Sequence, residues 1–286
     1  MKRIPSSALA FYALNCIPVS AANLMLDFGP NAVDESYYTL SPGHHTNAIS
    51  TEETAWNMIS SAGTTSVLGY SDGTAASGVS LSVGQESTAG NNTINFSSTG
   101  LNVTLAGTGG GTANQQRLYT TNSIYGSTAL TDPVSTSTPG RDGFLGATGS
   151  AIGIRLDGLA AGTYLIYVMA RNTNSNVASS PMNIYAASGA NSGTFNFSGL
   201  SAFSQSNIGY ATAAYTNQYT QFVNGENYVA LNVTVGSGDS LFLAVDGSPT
   251  GETRGFLNMV QIVAVPEPVS ALLGAVGFLF GLRRKR

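Results

Sequence analysis

The chain has 286 residues, a formal net charge of −4 and only 9% charged side chains against 42% hydrophobic ones. Between residues 23 and 264 it carries five arginines (Arg117, Arg141, Arg155, Arg171 and Arg254) and no lysine against fourteen carboxylates, a net of −9. Such a surface repels nucleic acid and anionic membranes, which excludes nucleic acid as a partner. Abundant Gly, Ser, Thr and Asn, with Tyr, Phe, Val, Leu and Ile recurring in short runs, describe an exported β-protein rather than a disordered chain.

The head of the sequence reads as a signal peptide over residues 1–22. Lys2 and Arg3 form a positive start, residues 8–17 are largely apolar, and Val19-Ser20-Ala21 offers the small residues that signal peptidase reads. Cleavage after Ala21 and after Ala22 are equally compatible with the pattern. Leu14-Asn15-Cys16 loosely resembles a lipobox, but Asn15 stands where Gly, Ala or Ser is expected. Cys16 is the only cysteine and leaves with this segment. The mature protein therefore has no disulfide, no thiol nucleophile and no thiolate metal ligand, and its stability must come from a hydrophobic core.

Residues 23–264 form the ectodomain, enough chain for one large β-sandwich or two smaller ones. Strand-like runs occur at residues 24–28, 79–83, 93–96, 101–105, 151–156, 163–170, 182–187, 194–197, 228–235, 240–245 and 257–265, separated by Gly and Asn clusters. In the run 163–170, Tyr164, Ile166 and Val168 share one face, with Leu165, Tyr167 and Met169 on the other. Residues 52–59 would form at most a short helix. The expected fold is all-β: an antiparallel β-sandwich of jelly-roll type.

Three fragments carry a resemblance. Leu26-Asp27-Phe28-Gly29-Pro30 resembles the first strand of galactose-binding-like β-sandwiches. Leu156-Asp157-Gly158-Leu159 followed by Gly162-Thr163-Tyr164 resembles their hairpin into a long central strand, and residues 255–262, Gly-Phe-Leu-Asn-Met-Val-Gln-Ile, resemble the closing strand. The resemblance implies that fold, which many non-catalytic carbohydrate-binding modules share, more than it implies a ligand.

Several chemistries can be weighed on the residues. Gly238-Asp239-Ser240-Leu241 spells the nucleophile motif of GDSL-type esterases. In that family the motif opens an α/β domain and a histidine near the end supplies the base. Here it enters a β-run late in the chain, and the only histidines, His44 and His45, lie far upstream. It is read as a turn entering a strand. His44 and His45 follow Pro42-Gly43 and read as a surface loop rather than a zinc site, which would want a third ligand. Paired carboxylates for glycoside hydrolysis would have to come from Asp27, Glu86, Asp142 and Asp157 meeting in space, and no local spacing favours that. The chain is expected not to be an enzyme. Sugar binding would use aromatic stacking: Trp56 is the lone tryptophan, Asn57 stands beside it, and Tyr37 and Tyr38 precede it, although a core anchor is the commoner role for one tryptophan. No cofactor is expected; if Asp27, Asp246 and Asn258 converged, their oxygens would suit calcium.

The last twenty-two residues, 265–286, hold three parts in order. Pro266-Glu267-Pro268 keeps the chain extended and accessible. Residues 269–282 are uncharged and apolar, short for a transmembrane helix but extended by snorkelling arginines. Arg283, Arg284, Lys285 and Arg286 then act as a stop-transfer cluster on the cytoplasmic side. This pattern resembles the PEP-CTERM sorting domain of Gram-negative bacteria. The resemblance implies recognition by an exosortase at Pro266, Glu267 and Pro268, and an inner-membrane-anchored precursor that is released or transferred to the cell surface or extracellular matrix. The expected role is non-catalytic, structural or adhesive, in association with exopolysaccharide. A carbohydrate-binding module with a defined glycan and a secreted esterase or glycoside hydrolase are the alternatives.

Overall fold

The computed structural model describes residues 23–29, 56–60, 63–97, 104–106, 122–123, 126–127, 143–172, 180–207 and 222–265. Every regular element among them is a strand. In chain order these are β1 Leu24–Phe28, β2 Asn57–Ile59, β3 Gly63–Thr65, β4 Ser80–Glu86, β5 Thr93–Asn95, β6 Thr104–Ala106, β7 Asn122–Ser123, β8 Gly126–Ser127 and β9 Gly143–Leu145. They continue with β10 Ile152–Asp157, β11 Gly162–Met169, β12 Met182–Ala190, β13 Thr194–Asn196, β14 Phe203–Gln205, β15 Val229–Val235, β16 Asp239–Asp246, β17 Phe256–Leu257 and β18 Met259–Ala264.

Two curled sheets carry the fold. The first has five strands in the order β15-β11-β18-β1-β2. The second runs β13-β5-β4-β10-β16-β12-β14, with β3 on the same edge of β4 as β5. A small sheet β17-β9-β6 and a β7-β8 hairpin complete the described strands. Among the described strands the pairing is antiparallel except for β1 and β2, which run parallel with Leu26 opposite Asn57.

Strand alternation explains how the two sheets meet. Leu24, Leu26 and Phe28 of β1, Tyr164, Ile166 and Val168 of β11 and Val229, Leu231, Val233 and Val235 of β15 share one core cluster with Leu81 and Val83 of β4, Ile154 and Leu156 of β10 and Leu241, Leu243 and Val245 of β16. The sheets thus face each other across one apolar layer, and of the two faces of β11 it is the one bearing Tyr164, Ile166 and Val168 that enters it. The strand β16 is buried on both sides. Its alternate residues Phe242 and Ala244 join Ile94, Phe96, Ala151, Phe195 and Phe197 in a second cluster on the far side of the second sheet. That outer cluster forms because β5 and β13 curl back over the sheet.

Two expectations need correction. Residues 57–59 are a strand, not the end of a short helix. The Asn57 amide donates to the Met25 carbonyl at 2.9 Å and the Gly69 carbonyl at 2.8 Å, and its oxygen accepts from the Gly69 N–H at 2.7 Å. These bonds hold the segment extended against β1. The expected run 257–265 is broken at Asn258, whose N–H donates to the Met169 carbonyl while its carbonyl accepts from Phe28. As a result β17 pairs with β9, and β18 lies between β1 and β11.

Among the described residues no helix is long and apolar enough to cross a membrane. The expected signal peptide at residues 1–22, the Pro-Glu-Pro motif, the apolar segment 269–282 and the terminal basic cluster lie outside the described residues.

Candidate functional site

Polar chemistry gathers in two places. The first is the outer face of the second sheet, where alternation points Ser82, Gly84 and Glu86 of β4, Arg155 and Asp157 of β10, Ser240 and Asp246 of β16 and Tyr185 of β12 away from the core. An aromatic lid covers its middle. Phe195 stacks on Phe242 with ring centroids 5.1 Å apart, and Tyr185 lies 4.8 Å from Phe197. Gly84 makes this close approach feasible: a Cβ there would sit 2.3 Å from the Asn95 carbonyl oxygen and 2.9 Å from the Phe96 ring.

On one side of the lid, Arg155 donates through Nε to Oδ2 of Asp157 at 3.1 Å and through Nη1 to the Ser192 carbonyl at 2.6 Å. Ser240, buried in the sheet, donates to Oδ1 of Asp157 at 2.6 Å. On the other side stand Glu86 and Asp246, flanking Ala151. Glu86 is buried and accepts three backbone N–H groups, from Gly90 at 3.1 Å, Asn92 at 2.5 Å and Ala151 at 2.9 Å. Those bonds organise the β4–β5 turn and fix the entry to β10. Asp246 is half-buried and accepts from the Gly247 N–H at 2.8 Å. Burial, and then the neighbouring Glu86, push its carboxyl up to about 6. The Tyr185 phenol is raised above its ordinary range by burial and by Asp246.

The second place is the end of the sandwich where β11 leaves the first sheet. Gln205 brackets Ala170, accepting its N–H at 3.0 Å and donating to its carbonyl at 2.9 Å. Asn207, held at a φ of 52°, donates to the carbonyls of Ala170 and Ser180. The Arg171 N–H donates to Oδ1 of Asn258 at 2.7 Å, and the whole Arg171 side chain is buried. Beside it Glu252 receives Nε and Nη2 of Arg254, each at 2.7 Å, and the amide of Asn172. Burial alone would raise the Glu252 carboxyl; the bonds from Arg254 and Asn172 outweigh it and hold the group below its ordinary value.

The structure separates most of the residues singled out in the sequence. Asp27 projects from β1 away from the core on the first sheet, whereas Asp246 projects outward from the second, so the two face opposite sides of the molecule. Asn258 adjoins β1, but its side-chain oxygen is taken by the Arg171 N–H. Among the described residues no three His, Cys, Asp or Glu side chains are grouped to hold a metal. Glu86 and Asp157 lie at opposite ends of the outer face, since Asp157 pairs with Ser80, six residues and roughly 20 Å along β4 from Glu86. Asn57 spends its amide on backbone groups. Trp56 is half-buried with its indole nitrogen shielded from solvent. Tyr37, Tyr38, His44, His45 and Asp142 lie outside the described residues.

Sequence reasoning missed the pairing of Glu86 with Asp246 and the polar web around Arg171 and Glu252. The first had no local signal, being made by register across β10. The second left a trace in Arg171-Asn172, a charged residue and an amide placed just beyond the long apolar strand β11.

No protein-family model matches the chain, and no curated protein does. Among solved structures, the chain is similar over 43% of its length to an isomalto-dextranase of Arthrobacter globiformis T6 complexed with panose, with 11% identity and a TM-score of 0.25. Over 63% it is similar to the enzymatically active domain of tailspike protein 4 of bacteriophage CBA120, with 10% identity and a TM-score of 0.27. It spans 18% and 19% of those two chains. A third likeness, to the K3 cleaved adhesin domain of Lys-gingipain from Porphyromonas gingivalis W83, covers 50% of this chain and 81% of that one, at 16% identity and a TM-score of 0.24. Superpositions this loose carry no argument about function.

Proposed function

We propose that the protein is an exported surface or matrix component, delivered through a PEP-CTERM-type tail and serving a non-catalytic, structural or adhesive role in association with exopolysaccharide. The observation that carries this reading is the order of Pro266-Glu267-Pro268, the uncharged run 269–282 and the cluster Arg283 to Arg286 behind a signal-peptide pattern at residues 1–22. The ectodomain is proposed to be a single jelly-roll sandwich of galactose-binding-like type. The internal use of its polar side chains supports a stable, passive scaffold: Asn57, Glu86, Gln205 and Asn207 each spend several hydrogen bonds on backbone groups. Mass and location of the protein in cells with and without an exosortase test the sorting step. A C terminus still carrying Arg283 to Arg286 in both strains would sink it.

The hydrolase reading draws on one specific feature, a carboxyl with a pKa of about 6 at Asp246 beside a second carboxylate at Glu86. Acid–base cleavage of a glycosidic bond needs a carboxyl that keeps its proton near neutral pH, as Asp246 does. Turnover of polysaccharide that disappears in Asp246→Asn, with the fold intact, would establish it over the passive scaffold.

A further inference from the structure

Burial is uneven across the outer face of the first sheet. On β1 and β18 the outward residues Met25, Asp27, Met259 and Gln261 are 0–4% exposed. On β11 and β15 the same face opens. Tyr167 is half-buried, and Asn232 and Thr234 are exposed. Three aromatic rings converge on the open half. Tyr167 and Tyr228 have centroids 5.9 Å apart with planes at 52°, and Phe222 meets Tyr228 at 5.8 Å and 76°. All three are only partly covered. Along the strands the aromatic cluster continues into neutral hydrogen-bonding groups: Asn232 opposite Leu165, then Thr163 and Thr234, whose hydroxyls lie 3.1 Å apart.

The chemistry of this patch selects its ligand class. Neither β11 nor β15 contains a charged residue, and the exposed charge in the adjoining turn is an acid, Glu226. Aromatic faces beside amides and hydroxyls suit a ligand with apolar C–H faces and a hydroxyl rim. An anionic glycan would meet Glu226 at the edge and find no cation on either strand. The rings are tilted rather than coplanar, so they present a stepped surface that fits one twisting chain better than a flat crystalline one. Burial holds the Tyr167 and Tyr228 phenols above their ordinary range, so the rings stay uncharged and serve as stacking faces.

We infer that Tyr167, Tyr228 and Phe222, with Asn232 and the Thr163–Thr234 pair, form a binding platform for a single chain of neutral polysaccharide. This deepens the exopolysaccharide association proposed above. Binding in vitro does not depend on sorting, so either reading can fail without the other.

The test is affinity electrophoresis of the full chain in detergent, through gels containing dextran, barley β-glucan, xylan or the anionic alginate. Retardation by at least one neutral polysaccharide is expected, weakened about tenfold by Tyr167→Ala or Tyr228→Ala and kept by Tyr228→Phe. Asn232→Arg, at an exposed position that folding does not depend on, gives the same loss with unchanged melting. No retardation by any neutral polysaccharide overturns the proposal, as does retardation that Asn232→Arg leaves intact. Stronger retardation by alginate than by every neutral glycan also overturns it. So does self-association abolished by Asn232→Arg without any glycan binding, which would make the face an interface between copies.

Discussion

The hydroxyl of Ser240 donates a 2.6 Å hydrogen bond to Oδ1 of Asp157, whose other oxygen is held by Arg155. A serine donating to a carboxylate that an arginine already neutralises is a strand-to-strand tie. Ser240→Ala should therefore lower stability by about 1–2 kcal/mol, the worth of a buried hydrogen bond to a charged group. Denaturant unfolding measures this. Ester turnover, if the protein shows any, should be unchanged, and its loss in this variant would restore the GDSL reading.

Asp246 should make the protein less stable as pH rises. Its folded-state pKa, pushed up to about 6, lies above the ordinary value of 3.8, so the folded state holds the proton more tightly. The stabilisation is complete below the unfolded value and is lost as pH climbs from about 4 through 6. Asp246→Asn should then stabilise the protein at pH 7 by about 1 kcal/mol, after allowing for solvent screening of a half-exposed group, and by little at pH 4. Melting temperatures at the two pH values check the sign. Glu86→Gln should move the Asp246 titration midpoint downward, which NMR of the side-chain carboxyl would read.

Glu86→Ala should be far more damaging than any exposed substitution. It strips one acceptor from three backbone N–H groups, with the Ala151 bond in a buried setting. A cost of about 3 kcal/mol is expected, with accelerated hydrogen exchange at Gly90, Asn92 and Ala151 as the local signature.

Two glycines should behave oppositely. Gly158, in the β10–β11 hairpin, has a φ of +79°, and a Cβ there would lie 2.0 Å from the Gly78 carbonyl oxygen. Gly158→Ala should cost about 3 kcal/mol, since both the backbone and its neighbour must shift. Gly189, on β12, has open space around it. Gly189→Ala should be neutral or stabilise by about 0.5 kcal/mol. Parallel chemical denaturation of the two variants tests the contrast.

Much of the strand inventory was legible because a half-buried strand writes its environment into a two-residue period. Tyr164, Ile166 and Val168 fall on one face by that period, and residues 24–28, 182–187 and 240–245 read as short apolar runs. Which face of 163–170 turns inward was not legible, because Leu165, Tyr167 and Met169 opposite are apolar too. The short strands β2, β3, β9 and β14 were not read from the sequence, whereas the equally short β5 and β13 were, because Phe96 and Phe197 extend their alternation by one residue. Residues 57–59 became a strand because the Asn57 amide found backbone partners at Met25 and Gly69, up to thirty-two residues away in sequence.

The sequence by itself determined the β class and the acidic, cysteine-free composition of residues 23–264, both of which follow from composition and local pattern. Tertiary structure decided which side chains meet. It placed Asp27 and Asp246 on opposite faces, set Asp246 beside Glu86 across Ala151, and gathered Tyr167, Tyr228 and Phe222 into one patch. Such meetings depend on sheet register and on the curl of β5 and β13 over the second sheet. Register is fixed by contacts between residues far apart in the chain, which no local period encodes.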